Sequence, residues 1–136
     1  MRNTARINAE LKLLQRVYGD DRIEWAPDGS WIKIAAVPLP RGLNKAASNM
    51  LIIIPDQYGY GVPLRELYVD PELRIRDGGR WVEIPHYFAG YAPTETALAK
   101  NWRYLCLHAL RWERGDSVVT FLNQVFTYLS DPFRWG

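Results

Sequence analysis

Two residue types that can carry out covalent chemistry lie close together in the segment NWRYLCLHALRW, Asn101–Trp112. Cys106 is the only cysteine of the 136-residue chain, and His108 is one of its two histidines. A cysteine thiolate is a strong nucleophile that forms thioesters, and a nearby imidazole can move a proton or stabilise developing charge. The neighbours of Cys106 are apolar, however, and an isolated cysteine in such surroundings is commonly an inert, buried residue. The segment alone therefore leaves two interpretations open and favours the buried one.

Other polar residues give weaker indications of a site. His86, in IPHYF, is a candidate to approach Cys106 from the preceding loop, although a structural role is the simpler interpretation. A zinc site built from Cys106, His108 and either His86 or Asp116 would have an unusual spacing and few soft ligands. The loop Tyr58–Gly61 has glycines but neither the lysine nor the following helix of a phosphate-binding loop. We therefore predict no metal site and no cofactor.

Composition limits the class of protein. With 48% hydrophobic and 24% charged residues, the chain is typical of one globular domain, so we expect a single domain over residues 1–136. The net charge of +2 is small and the arginines are spread among acidic residues, which gives no support for nucleic-acid binding. The longest aliphatic run, Met50–Ile54, is far too short to span a membrane, and the charged N-terminal residues do not resemble a secretion signal. We expect a cytoplasmic protein that does not bind membranes.

The elements that must position Cys106 follow from hydrophobic periodicity. Over Thr4–Tyr18, apolar residues recur at the spacing of one helical face, which predicts an amphipathic helix. These residues are Ile7, Leu11, Leu14 and Tyr18. Four β-strands are predicted next, and a Pro-Asp-Gly turn signal makes the first two a hairpin. Their predicted bounds are Ile23–Trp25, Trp31–Val37, Asn49–Ile54 and Glu66–Val69.

The second half of the chain is predicted to be irregular until its last helix. Between residues 70 and 100, a DGG sequence, Pro85 and Pro93 interrupt any long element, so we expect a long ordered loop with short elements only. The final predicted helix, Ser117–Ser130, has Asp116 or Ser117 as its N-cap and ends before an Asp-Pro pair. Its predicted apolar face consists of Val118, Leu122, Val125, Phe126 and Leu129. The predicted fold class is α+β.

Two segments resemble the ubiquitin-conjugating enzyme superfamily. Met50–Pro71, MLIIIPDQYGYGVPLRELYVDP, is similar to its third and fourth strands and the proline-containing turns between them. Tyr104–Pro132 is similar to its active-site segment, in which Cys-Leu precedes a tryptophan, a capped helix and Asp-Pro. The tryptophan here is Trp112 and the closing pair is Asp131-Pro132. The resemblance implies a UBC-like fold, with an N-terminal helix, a four-stranded antiparallel meander, a long loop carrying the cysteine, and a second long helix.

Departures from the eukaryotic pattern point to the bacterial branch of this superfamily. The His-Pro-Asn motif that precedes the cysteine is absent, and His108 stands where an aspartate is usual. The family's two C-terminal helices are expected to be missing after Gly136. The bacterial branch has members that lack the motif and carry a histidine just after the cysteine. This resemblance implies an activating enzyme and a ubiquitin-like protein as partners, with a JAB-type peptidase of the same operon as a further candidate.

The resemblance also implies roles for individual residues. Cys106 would carry the C-terminus of the ubiquitin-like protein as a thioester and transfer it to an amine. His108 would hold the thiolate, accept a proton from the amine or stabilise the oxyanion. Asn101 is the nearest upstream amide that would replace the missing asparagine. The basic residues of the N-terminal segment are by default a solvated face, and in the resembled family this helix contacts the activating enzyme; they are Arg2, Arg6, Lys12 and Arg16.

Two other functions remain open. Some members of the superfamily are catalytically inactive, so the alternative is a UBC-fold binding module in a ubiquitin-like pathway. A thiol hydrolase unrelated to conjugation is disfavoured, because no carboxylate that would orient a base is identifiable from spacing.

Overall fold

The structure, a computed structural model, describes residues 2–85, 87–88, 102–107, 111–113 and 115–135. The elements are helix α1 (Thr4–Tyr18), strands β1 (Ile23–Trp25), β2 (Trp31–Pro38), β3 (Ala47–Ile53), β4 (Glu66–Val69), β5 (Ile75–Asp77), β6 (Arg80–Val82), β7 (Tyr87–Phe88) and β8 (Arg103–Cys106), and helix α2 (Val118–Ser130). Short 3₁₀ helices follow α1 and α2, at Asp20–Arg22 and Pro132–Trp135. This is an α+β arrangement of an antiparallel sheet and two helices. In the part of the chain that is described, neither helix has the length and apolar character needed to cross a membrane.

Helix α1 has the predicted bounds and the predicted apolar face. It begins after Asn3, whose side-chain oxygen accepts a hydrogen bond from the backbone N–H of Arg6. The buried apolar residues are Ile7, Leu11 and Leu14. Glu10 shares this face and is only 4% exposed. The helix therefore carries a carboxylate into the interior, where it needs hydrogen-bonding partners.

The predicted meander is confirmed, with small changes in strand bounds. Strands β1 to β4 pair antiparallel in chain order. β1 and β4 have the predicted residues, β2 extends one residue further, and β3 lies at Ala47–Ile53 rather than Asn49–Ile54. The pairing is locally irregular between Ile34 and Val37, where Ala36 has a positive φ of 55°.

The expectation that the cysteine lies in a long loop is wrong. Arg103–Cys106 forms β8, which pairs antiparallel with β4, and β7 pairs with β8 in turn. The described strands thus form a six-stranded sheet in the order β1-β2-β3-β4-β8-β7, with β5 and β6 as a separate hairpin. The physical reason is the edge of β4, whose backbone N–H and C=O groups need partners that a further strand supplies.

The sheet has buried residues on both faces. Residues of both helices share the larger core with alternate strand residues such as Ile52, Leu67 and Leu105. A smaller cluster occupies the opposite face and consists of Leu51, Tyr68, Tyr104 and Cys106, with Trp31, Ile53 and Trp102 packed against it. Cys106 therefore lies on the face of the sheet that points away from the helices.

Helix α2 confirms the predicted N-cap and corrects the predicted apolar face. The Ser117 hydroxyl accepts from the backbone N–H of Thr120, and the Thr120 hydroxyl accepts from the backbone N–H of Ser117. Phe126 is 46% exposed, whereas Phe121 and Tyr128 are buried. Apolar residues occur on two neighbouring faces of this helix, and the position of the sheet selects one of them.

The segment after β4 contains only short elements where it is described, as expected. β5 and β6 form a two-stranded hairpin, and the turn between them uses Gly78 and Gly79, both with positive φ. β7 is a two-residue strand at the edge of the main sheet. The described part of this segment thus adds one small hairpin and one edge strand to the predicted fold.

Candidate active site

Cys106 is the last residue of β8, where the chain leaves the sheet on its way to α2. Its side chain is 7% exposed and faces the smaller cluster, whereas Leu105 and Leu107 face the helices. This alternation is the two-residue periodicity of an extended chain. The thiol therefore lies just below the surface, and a reactant would reach it from the face of the sheet opposite the helices.

Glu66, the first residue of β4, lies directly opposite Cys106 in the strand pairing. Side chains that oppose each other in an antiparallel pair project to the same face, with Cβ atoms about 5 Å apart. Tyr68, two residues along β4, donates a hydrogen bond from its hydroxyl to Oε2 of Glu66 at 2.6 Å. Tyr104 lies opposite Tyr68, with 5.7 Å between the ring centroids. The sheet thus brings a thiol and a carboxylate together, and a tyrosine hydroxyl holds the carboxylate.

The described residues line two clefts near the start of β4. One cleft, of about 160 Å³, is lined by Glu66 with Arg65 and Pro63 among others. The second, of about 140 Å³, is lined by Arg65 and Pro63 again, and by Leu107 and Arg111. Both clefts border the short segment that leads into β4. Space for a small group therefore exists beside this segment, and Cys106 itself lines neither cleft.

The other predicted catalytic residues cannot be compared with this geometry. His108, His86 and Asn101 all lie outside the described residues. Their proposed roles next to Cys106 stay predictions.

The basic residues predicted to bind an activating enzyme fall into two pairs. Lys12 and Arg16 lie one turn apart on α1 and are exposed. Arg2 precedes the helix and forms an ion pair with Asp56, with 3.0 Å between Nη2 and Oδ1. Arg6 is half-buried and its guanidinium is directed inward. Lys12 and Arg16 are therefore the pair that a partner would reach, and Arg2 and Arg6 have structural contacts.

A buried hydrogen-bond network joins α1 to the start of α2. The Glu10 carboxylate accepts from the Tyr58 hydroxyl and from the backbone N–H of Val118, the latter at 2.9 Å. Arg6 lies beside this carboxylate, with 3.7 Å between Nε and Oε2, and donates to the backbone carbonyl of Asp116. Burial, together with the hydrogen bond to Glu10, raises the pKa of Tyr58 well above its ordinary value. The network fixes the chain between Cys106 and α2 at its helical end.

Tyr128 ties α2 to the chain just before β7. Its hydroxyl donates to the backbone carbonyl of Pro85 at 2.8 Å. Burial, and to a smaller degree the negative charge of a Cys106 thiolate, raises the pKa of Tyr128 to about 12. The tyrosine is therefore neutral over the physiological range and acts as a hydrogen-bond donor.

Sequence reasoning did not identify Glu66 or Tyr68 as residues of the site. The predicted strand Glu66–Val69 already implied that they share a face, because side chains alternate along a strand. The missing information was the pairing of this strand with the one that holds Cys106. That pairing is non-local, and the four residues of β8 are too few to predict a strand from alternation.

The fold has the arrangement of an E2-like protein. It is an α+β fold with an N-terminal helix, an antiparallel meander, and a cysteine followed by a capped second helix. Residues 20–131 match the Prokaryotic E2 family E, and the chain belongs to this family. No curated protein and no solved structure matches the chain significantly. The family confirms the resemblance to bacterial ubiquitin-conjugating-like proteins. It indicates a transferase-like role in ubiquitin-like conjugation, with ubiquitin-like proteins and activating enzymes in general as partners.

Proposed function

We propose that this protein carries a ubiquitin-like protein as a thioester on Cys106 and transfers it to an amine. The observation that supports this most directly is that the chain's only thiol lies within the residues matched by the family. Such a carrier must first attack a thioester and later leave as a thiolate, and cysteine is suited to both steps because it is both a good nucleophile and a good leaving group.

The surroundings of Cys106 support the proposal in two ways. The thiol belongs to the last residue of a strand, and one cleft near it is lined by Glu66, the residue opposite Cys106 in the strand pairing. The network of Glu10 holds the start of α2, the helix that follows Cys106 in the chain. His108 is the proposed group for proton transfer or oxyanion stabilisation, with Asn101 and His86 as weaker candidates.

The proposed partners are inferred from the family to which the chain belongs. An activating enzyme would load Cys106 in the cytoplasm and would contact Lys12 and Arg16, which are exposed on α1. A JAB-type peptidase encoded in the same operon would act on the conjugates. No cofactor within this chain takes part in the proposed reaction.

The test is the formation of a covalent adduct. The protein is incubated with ATP and with the activating enzyme and ubiquitin-like protein encoded by neighbouring genes, and the products are separated on reducing and non-reducing gels. We expect an adduct that a thiol reductant removes and that Cys106→Ser no longer forms. The absence of any such adduct with active partners would contradict the proposal.

A second candidate is a catalytically inactive binding module, and the burial of Cys106 favours it. A side chain that is 7% exposed must become accessible before it can react with a thioester on another protein. The same experiment separates the two candidates. A module of this kind binds the ubiquitin-like protein but forms no thiol-sensitive adduct.

A further inference from the structure

We propose that the hairpin patch, formed by Arg74, Arg76 and Trp81 on the outward face of β5 and β6, docks an acidic segment of a partner protein. This interaction surface goes beyond the proposed function and does not depend on it. None of the three residues belongs to the strand that holds Cys106 or lines either cleft near the start of β4.

Alternation along the chain places the three side chains on one face. Leu73 and Ile75 are buried, at 0% and 5% exposed, so the alternate residues Arg74 and Arg76 point away from the core. Trp81 lies opposite Arg76 in the pairing of β5 with β6, and opposed side chains project to the same face. The Arg76 guanidinium lies over the Trp81 ring, with 5.1 Å between Cζ and the ring centroid. Two guanidinium groups and an indole ring therefore share the outward face.

The positive charge of the patch is not neutralised within the part of the chain that the structure describes. Neither Arg74 nor Arg76 forms an ion pair with another described residue, and the Arg74 side chain donates to a backbone carbonyl. Glu83, which directly follows β6, is already paired with Arg103, with 3.0 Å between Oε1 and Nη1. The charges of both patch arginines are therefore available to a carboxylate from another molecule.

Trp81 supplies the apolar part of the surface. Its side chain is 48% exposed, although tryptophan and arginine are the residue types that most often contribute binding energy at protein interfaces. A guanidinium group stacked on an aromatic ring keeps the N–H groups of its edge free, and these match the two oxygens of a carboxylate. We expect an acidic side chain to bind the edge of Arg76 and an adjacent apolar side chain to pack on the indole.

The patch is held rigidly before any partner binds. The backbone N–H of Arg76 donates to the carbonyl of Gly42 at 2.8 Å. The backbone N–H of Arg74 donates to Oδ1 of Asn44 at 2.7 Å, and the Arg74 carbonyl accepts from the Asn44 N–H at 3.0 Å. Because these bonds fix both arginines in the free protein, little backbone entropy is lost when a partner binds.

The charge of the molecule favours an acidic protein segment over a nucleic acid. The net charge of the chain is only +2, and the patch contains two arginines without an acidic partner among the described residues. Nucleic-acid binding gains most of its affinity from many simultaneous phosphate contacts, which two guanidinium groups cannot supply. Two or three carboxylates next to an apolar side chain complement the patch fully.

The test follows binding at Trp81 itself. Isotope-labelled protein is titrated with a short synthetic peptide that is rich in glutamate and contains leucine, and the indole N–H signals of its six tryptophans are recorded by NMR. Trp81→Phe and Trp25→Phe identify two of these signals. The same peptide with glutamine in place of glutamate, and a single-stranded RNA of equal net charge, are titrated in parallel.

The matched variants are Arg74→Gln with Arg76→Gln, and Arg80→Gln. Arg80 is exposed on the same hairpin, but it pairs with Asp77 and so lies on the other face. We expect the double variant to raise the dissociation constant of the acidic peptide about tenfold, and Arg80→Gln to change it less than about twofold. The Trp81 signal should shift and saturate, whereas the signal of Trp25, which is 42% exposed outside the patch, should not move.

Three results would overturn the proposal. They are an unmoved Trp81 signal with the acidic peptide, equal weakening by Arg80→Gln and the double variant, and tighter binding of the RNA than of the peptide. None of these measurements requires loading of Cys106. A negative result here would therefore leave the proposed thioester function standing, and a failure to form the thioester would leave the hairpin patch standing.

Discussion

The carboxylate of Glu10, in the middle of α1, accepts a hydrogen bond from the backbone N–H of Val118 at 2.9 Å, although the two residues are 108 positions apart. Val118 is the first residue of α2, and the N–H groups of a helix's first turn have no partner within the helix. Glu10 thus complements the capping box of Ser117 and Thr120, and its negative charge is favourable near a helix N-terminus. One side chain of α1 therefore holds in place the helix that follows the cysteine.

We predict that Glu10→Ala lowers the free energy of unfolding by about 3 kcal/mol, because it leaves the Val118 N–H and the Tyr58 hydroxyl without their acceptor. Glu10→Gln keeps an acceptor and should lose about 1 kcal/mol. Chemical denaturation gives the values. Glu24→Gln is the control, because its ion pair with Lys33 is exposed and should be worth less than about 0.5 kcal/mol. Equal effects of Glu10→Ala and Glu24→Gln would contradict a role for the buried network.

The capping box of α2 gives a second stability prediction. Ser117→Ala removes the hydroxyl that accepts from Thr120 N–H, and should lower the free energy of unfolding by about 1 kcal/mol. Ser130→Ala, at the exposed other end of the same helix, should change it by less than about 0.5 kcal/mol. Thermal unfolding followed by circular dichroism compares the two. A Ser117→Ala protein as stable as wild type would show that the cap is not a significant contributor.

Alkaline pH should unfold the protein through its buried tyrosines. Burial raises the pKa values of Tyr87 and Tyr128 to about 12, so the fold favours their neutral forms. This stabilisation is complete below the ordinary tyrosine pKa near 10 and is lost as pH rises toward about 12. Between these values the free energy of unfolding should fall by up to about 1.4 kcal/mol per pH unit for each tyrosine.

Denaturation curves at a series of pH values test this, with Tyr128→Phe as the variant. Above a pH of about 10, the free energy of unfolding of this variant should fall less steeply with pH than that of wild type, because one titrating group is gone. At neutral pH it should be about 1 kcal/mol less stable, since the hydrogen bond to Pro85 is lost. Tyr60→Phe is the control, because Tyr60 is 59% exposed. The prediction would be contradicted if the free energy of unfolding fell equally steeply with pH in wild type and in Tyr128→Phe.

His108→Ala separates a role of this histidine in transfer from a role in holding the thiolate. If His108 takes part in transfer, the variant should load Cys106 and then discharge to lysine at least about tenfold more slowly than wild type. If it holds the thiolate, loading itself should slow. His86→Ala serves as the comparison, since a structural role is the simpler interpretation for it. Unchanged loading and discharge in His108→Ala would remove this residue from the mechanism.

The exposed pair Lys12 and Arg16 should matter for loading by an activating enzyme but not for the chemistry at Cys106. Reversing both charges, Lys12→Glu with Arg16→Glu, should slow the loading of Cys106 by the activating enzyme and make the loading rate less sensitive to salt. The reason is that charges at the rim of an interface mainly affect the association rate. Loading from a small peptide thioester should remain at the wild-type level. Equal loading by the activating enzyme in the variant and wild type would show that the enzyme docks elsewhere.

Most of the local structure could be predicted from the sequence by itself. The helical spacing of Ile7, Leu11 and Leu14 predicted α1, the turn signals separated the strands of the meander, and Ser117 was correctly placed among the caps of α2. The motifs around Cys106 and Asp131-Pro132 also indicated the family that residues 20–131 confirm. These features depend on periodicity and on neighbours within a few residues, which the sequence contains directly.

Only the tertiary structure decided what surrounds the cysteine. Strand β8 forms because the edge of β4 offers it partners, and the register of that pairing sets Glu66 opposite Cys106. Likewise, the burial of Glu10 and the exposure of Phe126 depend on where other elements pack against the helices. Such contacts join residues far apart in the chain, and a shift of one residue in register would turn the Glu66 side chain to the other face. Local pattern thus determined the elements, and non-local pairing determined the site.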